Sequence, residues 1–159
     1  MTAGPASPPT PDTKAKEAMS KARLRMWVRL LGVTRRTEAQ LREFLRLNHD
    51  ATLPRFDVLA ALYRRESGIT MTELSRMLLV SNGNTTAVVD RLEKDGLASR
   101  SPSATDRRTT YVTLTPAGRL RFDEMAREHS AEIDRIFAAL DSDEIELLTR
   151  IFKRIGATT

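Results

Sequence analysis

The sequence contains no cysteine in 159 residues. That absence excludes a disulfide framework, a thiolate zinc site, a cysteine nucleophile and thiol-based redox sensing. Histidine is nearly as scarce, with only His49 and His129 available for metal or acid–base work. Aromatic residues make up 5% of the chain, and they form no visible platform of the kind that stacks single-stranded bases. No run of about eighteen apolar residues occurs, so no membrane span is expected. The start, Met1 to Pro9, has neither a basic n-region nor an apolar h-region, so no signal peptide is expected. A Walker A loop, a GxGxxG turn, an HExxH pair and a nucleophile elbow are all missing. The expectation is a cytoplasmic protein that is not an enzyme and needs no metal or cofactor.

What is present is the composition of a globular protein, 40% hydrophobic and 30% charged, long enough to bury a core. The formal net charge is +5, which invites a nucleic-acid partner. Its distribution weakens that argument. Asp12 to Asp50 holds ten Lys/Arg against five Asp/Glu, Ala51 to Thr115 nine against seven, and Pro116 to the end seven against nine. Most of the basic excess therefore lies near the N-terminus.

Residues 1–12 are rich in proline and lack apolar bulk, which predicts a tail that cannot offset its ordering entropy. From about Thr13 to Leu47, Leu24, Trp27, Val28, Leu31, Leu41, Phe44 and Leu45 recur at helical spacing. Gly32 is a candidate kink. Pro54 suits the first turn of a second helix that buries Phe56, Leu59, Ala60, Leu62 and Tyr63, with Gly68 as its stop. Thr70-Met71-Thr72-Glu73 is a capping box, stapled by Ile69 and Leu74, which opens a short third helix. A turn at Val80-Ser81-Asn82-Gly83 leads to a fourth helix, capped by Ser81 and stopped by Gly96, with Val88 or Val89 and Leu92 inward. Leu97 to Leu114 changes to strand periodicity around a polar loop, Ser101 to Arg108. Thr115-Pro116 opens a long fifth helix, expected to bury Leu120, Met125, Ile133, Ile136, Phe137 and Leu140. Asp141-Ser142-Asp143-Glu144 is a second capping box, and the last helix carries Ile145, Leu148, Ile151, Phe152 and Ile155 on one stripe.

Three short helices followed by a hairpin make a helix-turn-helix unit with a wing. The fold class is mainly α with a small β-hairpin wing. A helix that enters a major groove must expose hydrogen-bonding groups near its N-terminus. The fourth helix offers Ser81, Asn82, Asn84, Thr85 and Thr86, with Arg91 further along. Gly83 leaves room for close approach of the backbone. Arg107 and Arg108 lie where a wing tip could enter a minor groove, with Asp106 able to orient one of them. Asp90 and Glu93 are expected to serve intramolecular or surface roles, because DNA repels them.

Leu53 through Leu120 resembles the MarR family of bacterial transcriptional regulators. The resemblance lies in Phe56-Asp57-Val58-Leu59, Leu74-Ser75, Val88 through Leu97, Asp106-Arg107-Arg108 and Val112 through Gly118. It implies a winged helix-turn-helix core at 51–115. The flanks, 13–50 and 116–159, would be dimerisation helices, the first also carrying ligand contacts. It further implies a homodimer on double-stranded DNA, Asn82–Lys94 as recognition helix, Arg108 as the minor-groove arginine, and a small-molecule effector.

The surplus arginines of the first helix raise a separate question. Arg23, Arg29, Arg35 and Arg36 beside Trp27 would suit an anionic, aromatic effector, such as an aromatic acid or its coenzyme A thioester. The alternative reading of these arginines is a solvated basic face or contacts to flanking DNA phosphates. His129, near Glu128 and Glu132, is expected to be a solvated histidine and not a metal ligand. The alternative to an operator-binding regulator is a winged-helix protein-interaction module.

Overall fold

The computed structural model describes residues 11–78, 82–102 and 109–157. The chain divides into two units, Met1–Gln40 and Leu41–Thr159, and α1 (Pro11–His49) runs through the boundary. The helix starts two residues before Thr13 and continues through Gly32 without interruption, so the expected kink is absent. In the first unit Leu24, Trp27 and Val28 are more than half exposed.

The second unit is built on Leu41 and Leu45, the buried end of α1. α2 (Leu53–Tyr63) starts at Thr52, whose hydroxyl accepts the Arg55 N–H, with Pro54 in the first turn. It ends at Tyr63, sooner than Gly68 suggested. A turn follows, in which the Gly68 N–H reaches Arg65 O at 2.9 Å. The Thr70 capping box forms as expected: Thr70 N–H donates to Glu73 Oε2 at 3.0 Å and Glu73 N–H to Thr70 Oγ1 at 3.2 Å. Those bonds from Thr70 hold the Glu73 carboxyl below its ordinary pKa. They open α3 (Met71–Leu78), and Ile69 and Leu74 are both buried.

α4 spans Asn82–Lys94. Gly96, at φ +71°, ends its last turn in the left-handed region that glycine adopts without a Cβ clash. A short strand β1 (Ile69–Thr70) precedes α3, and β2 (Ala98–Pro102) and β3 (Thr110–Leu114) form the hairpin. The sheet is antiparallel, ordered β1-β3-β2, with Ile69 and Arg100 each opposite Val112. Sequence periodicity gave only the hairpin; two residues are too few to show alternation.

α5 (Pro116–Ile136) is capped by Thr115, whose hydroxyl accepts the Gly118 N–H at 3.0 Å and donates to Gly96 O at 2.7 Å. Gly118, Phe122 and Met125 form its buried face. Leu120 is 73% exposed because at 100° per residue it stands on the opposite side from Gly118, which corrects its expected burial. Ile133, Ile136, Phe137 and Leu140 are half-buried.

The core joins Leu45, Val58, Leu59, Leu62, Leu74, Val89, Leu92, Val112 and Met125. α2 and α5 also meet through aromatic rings, with Phe56 stacked on His129 at 4.3 Å and Tyr63 against Phe122 at 4.7 Å. His49 is buried, its Nε2 3.2 Å from Glu128 Oε2, and its carbonyl accepts Arg121 Nη2. α6 (Ser142–Gly156) carries the Asp141–Glu144 capping box with both bonds formed. None of its residues is buried.

Candidate nucleic-acid interface

α4 has an inner face dictated by helical spacing: Thr85, Val89 and Leu92 are buried to 1% or less, and Val88 is half-buried. Between Val88 and Val89, it is Val89 that points inward. Thr85 is thereby corrected as a candidate DNA reader. Its hydroxyl lies 3.0 Å from Ser75 Oγ, which also donates to Met71 O at 3.0 Å. This buried polar contact ties α4 to α3; a group so enclosed cannot present an edge to a base. Thr85 stands four residues before Val89 on the core stripe, a spacing that already signalled burial.

The outward face carries Asn84, Thr86, Ala87, Asp90 and Arg91. Of the expected readers, the structure brings Asn84 and Arg91 together, about 20° apart at 100° per residue, while Thr86 is exposed on the other flank of the outward side, with Asp90. Asn82 opens the helix. Ser81, Arg107 and Arg108 lie outside the described residues, as does Asp106. Gly83 is exposed, and a Cβ there would meet nothing within 4 Å, so the chain itself does not crowd that position. Beside α4 opens a cavity of about 310 Å³, bordered by Pro54, Asp57, Leu78, Asn84, Val88 and Arg91.

The wing is anchored to α4 by a residue that sequence reasoning passed over. Arg100 on β2 directs Nη1 to Asp90 Oδ1 at 2.6 Å and to Glu93 Oε2 at 2.5 Å. Asp90 and Glu93 thus take the intramolecular role expected of them. Their spacing of three residues on one helix face signalled a shared cation, but strand pairing was needed to identify it. A second ion pair, Arg55 to Asp95 at 2.7 Å, joins the start of α2 to the end of α4. Across the hairpin, Ser99 Oγ and Thr113 Oγ1 lie 3.1 Å apart.

Gly118 explains why the chain returns so tightly after the wing. A Cβ at this position would stand 1.9 Å from Leu97 O and 2.8 Å from Leu97 C. Only glycine lets the first turn of α5 lie on that backbone, where Thr115 N–H also donates to Leu97 O at 3.1 Å.

The candidate effector residues Arg23, Trp27, Arg29, Arg35 and Arg36 are all exposed on the first unit. They do not converge. At 100° per residue Arg23 and Trp27 share one face, Arg29 and Arg36 share a nearly opposite one, and Arg35 lies between. Among the described residues no three His, Asp or Glu side chains gather in a way that could hold a metal. His129 is not a freely solvated side chain: it is half-buried on Phe56, and burial lowers its pKa. No described helix is long and apolar enough to cross a membrane.

The architecture is that of a winged helix-turn-helix: α3 packs beside α4, and α4 presents an exposed face beside a hairpin. Comparison with known proteins gives the same class. The model of the MarR family matches residues 49–109. The HTH-type transcriptional regulator MhqR of Bacillus subtilis (strain 168) is 33% identical over 108 residues, covering 68% of this chain and 74% of MhqR. Wild-type MarR of E. coli, in its apo form, superposes with a TM-score of 0.69 at 28% identity, over 80% of this chain and 94% of that one. A mutant MarR from E. coli, solved in complex with operator DNA, gives 0.71 at 27% identity, over 87% of this chain and 95% of that one. The chain belongs to the MarR family; it is a transcriptional regulator and not an enzyme.

Proposed function

We propose that this regulator binds a pseudo-palindromic DNA operator as a homodimer and acts in the cytoplasm as a repressor released by a small effector. The observation that carries DNA binding is the outward face of α4, where Asn84, Thr86 and Arg91 stand on a helix braced against a hairpin. Asn reads adenine edges, Thr the thymine methyl or a phosphate, and Arg guanine or phosphate. Ser81 and Asn82 at the helix start would add phosphate contacts, and Arg107 and Arg108 of the wing would reach the minor groove, Arg108 foremost.

Two exposed apolar stripes support the homodimer. Leu24, Trp27 and Val28 line α1, and Ile145, Leu148, Phe152 and Ile155 line α6, each between 37% and 63% exposed. α6 buries none of its residues within its own chain and α1 leaves this part of its apolar face exposed, and an apolar helix face left so needs a partner. Because they belong to the same sequence, a second copy supplies equivalent stripes under two-fold symmetry.

The effector reading is narrowed by the angular spread on α1. One ligand can meet either Arg23 with Trp27 or Arg29 with Arg36 from a single helix. An aromatic anion suits the first pair, and a phosphate-bearing group such as coenzyme A suits the second. Calorimetry with an aryl-coenzyme A thioester tests this: Arg36→Ala should weaken binding, and absence of heat with the wild type removes the effector class.

A mobility-shift titration on duplex DNA from upstream of the protein's own reading frame tests operator binding. Arg91→Ala should reduce affinity by about 5- to 150-fold, the range for a base-edge arginine. No specific complex with the wild type, or equal binding by Arg91→Ala, goes against this assignment.

A further inference from the structure

We infer that Arg100 is a positioning residue for DNA binding: its single positive charge offsets one of the two negative charges of Asp90 and Glu93, and its bonds to both draw back carboxylates that the recognition helix would otherwise present to phosphate. The inference rests on the reading of α4 as the DNA-facing helix.

Asp90 follows Thr86 by four residues, so the two stand on the same outward face. Its side chain is 56% exposed and that of Glu93 is 29% exposed. A helix entering a groove approaches a polyanion with one charge for about every 1.7 Å of axis. Two uncompensated carboxylates there would oppose docking. Arg100 approaches them from behind. It is opposite Val112 in the β2–β3 register, and directly paired residues share one face of a sheet. Val112 is fully buried, so Arg100 leaves the sheet on its core side and crosses to α4. One nitrogen, Nη1, bonds both carboxylates, at 2.6 and 2.5 Å. The Arg100 side chain itself is only 27% exposed. A guanidinium held this way serves the carboxylates and not a phosphate. It also fixes the wing strand against the helix, so the charge and the angle of the two DNA-facing elements depend on one residue.

The test measures fluorescence anisotropy of two labelled duplexes, the upstream sequence and a scrambled control, across a salt series. Arg100→Gln should weaken binding by about ten- to a hundredfold, because it leaves like charges facing DNA. Adding Asp90→Asn and Glu93→Gln to Arg100→Gln should restore affinity to at least about half that of wild type, because no carboxylate of this cluster is then left facing DNA. Asp90→Asn/Glu93→Gln with Arg100 intact leaves the arginine's charge uncompensated, and should bind at least as tightly as wild type. This variant keeps the idea testable if Arg100→Gln fails to fold.

The proposal is overturned if Arg100→Gln binds like wild type, if the triple variant stays weak, or if the carboxylate double variant binds more weakly. A direct phosphate contact would instead reduce the slope of log K against log salt by about 0.9, without rescue. Wild-type protein that binds neither duplex would refute the DNA-binding reading itself, a different result from any of these.

Discussion

Replacing Gly118 with alanine should destabilise the protein although it places a better helix former in a helix. Helix propensity alone favours alanine by about 1 kcal/mol. Packing gives the opposite sign. The new Cβ would lie 1.9 Å from the Leu97 carbonyl oxygen, whereas carbon and oxygen approach to about 3.3 Å. A displacement of about 1.4 Å is therefore needed, and backbone atoms stand on both sides of the contact, so no rotamer change relieves it. Moving α5 away from Leu97 also strains two hydrogen bonds, Thr115 Oγ1 to Gly96 O at 2.7 Å and Thr115 N–H to Leu97 O at 3.1 Å. Overpacking costs about 1–3 kcal/mol and each lost bond about 1 kcal/mol, which leaves a net loss of about 2–4 kcal/mol once the helix-propensity gain is subtracted. At about 2–4 °C per kcal/mol for a chain of this size, Tm should fall by roughly 10 °C. Urea denaturation followed by circular dichroism gives the free energy directly, and an unchanged m-value would show that the native state alone was affected. A loss below about 1 kcal/mol, or a gain of the size that helix propensity predicts, would refute the reasoning.

The pH dependence of stability offers a second check. Burial on Phe56 holds the His129 pKa below its ordinary 6.5. The unfolded chain therefore takes up a proton before the folded one. The His129 contribution is complete above the unfolded pKa and is lost as pH falls from about 6.5 through the folded value. Tm should decline from pH 7 to pH 5 more steeply in wild type than in His129→Gln, and parallel profiles would count against it. Phe152→Glu places a charge in the exposed stripe of α6, and sedimentation should show a shift from dimer to monomer. Wild-type protein that sediments as a monomer, or a variant that stays fully dimeric, would contradict the proposed interface.

Local chemistry made much of this fold legible. Thr70–Glu73, Thr115–Pro116 and Asp141–Glu144 cap helices where their side chains predict, because caps depend on residues three apart. The inner positions Val89 and Leu92 follow from helical spacing in the same way. What escaped depends on residues far apart in sequence. β1 is recognisable only through its pairing with β3. Arg100 meets Asp90 across ten residues and a change of element. His49 is a polar residue at the end of α1, yet α5 covers it, with Glu128 and Arg121 against it. Thr85 and Leu120 depart from expectation for a simpler reason: a polar side chain sits on the core stripe of α4 and an apolar one on the outer side of α5. In both, helix phase decided the outcome.

Selection of bound sequences from a random duplex pool tests the central claim most directly, because it presumes no operator. Two α4 helices related by a two-fold axis predict an enriched, inverted-repeat consensus with half-sites centred about 10 base pairs apart. Arg91→Ala should lose preference at a symmetric pair of positions within it. No enrichment, or a single asymmetric site unaffected by Arg91→Ala, would contradict the reading of this protein as a dimer that reads DNA with α4.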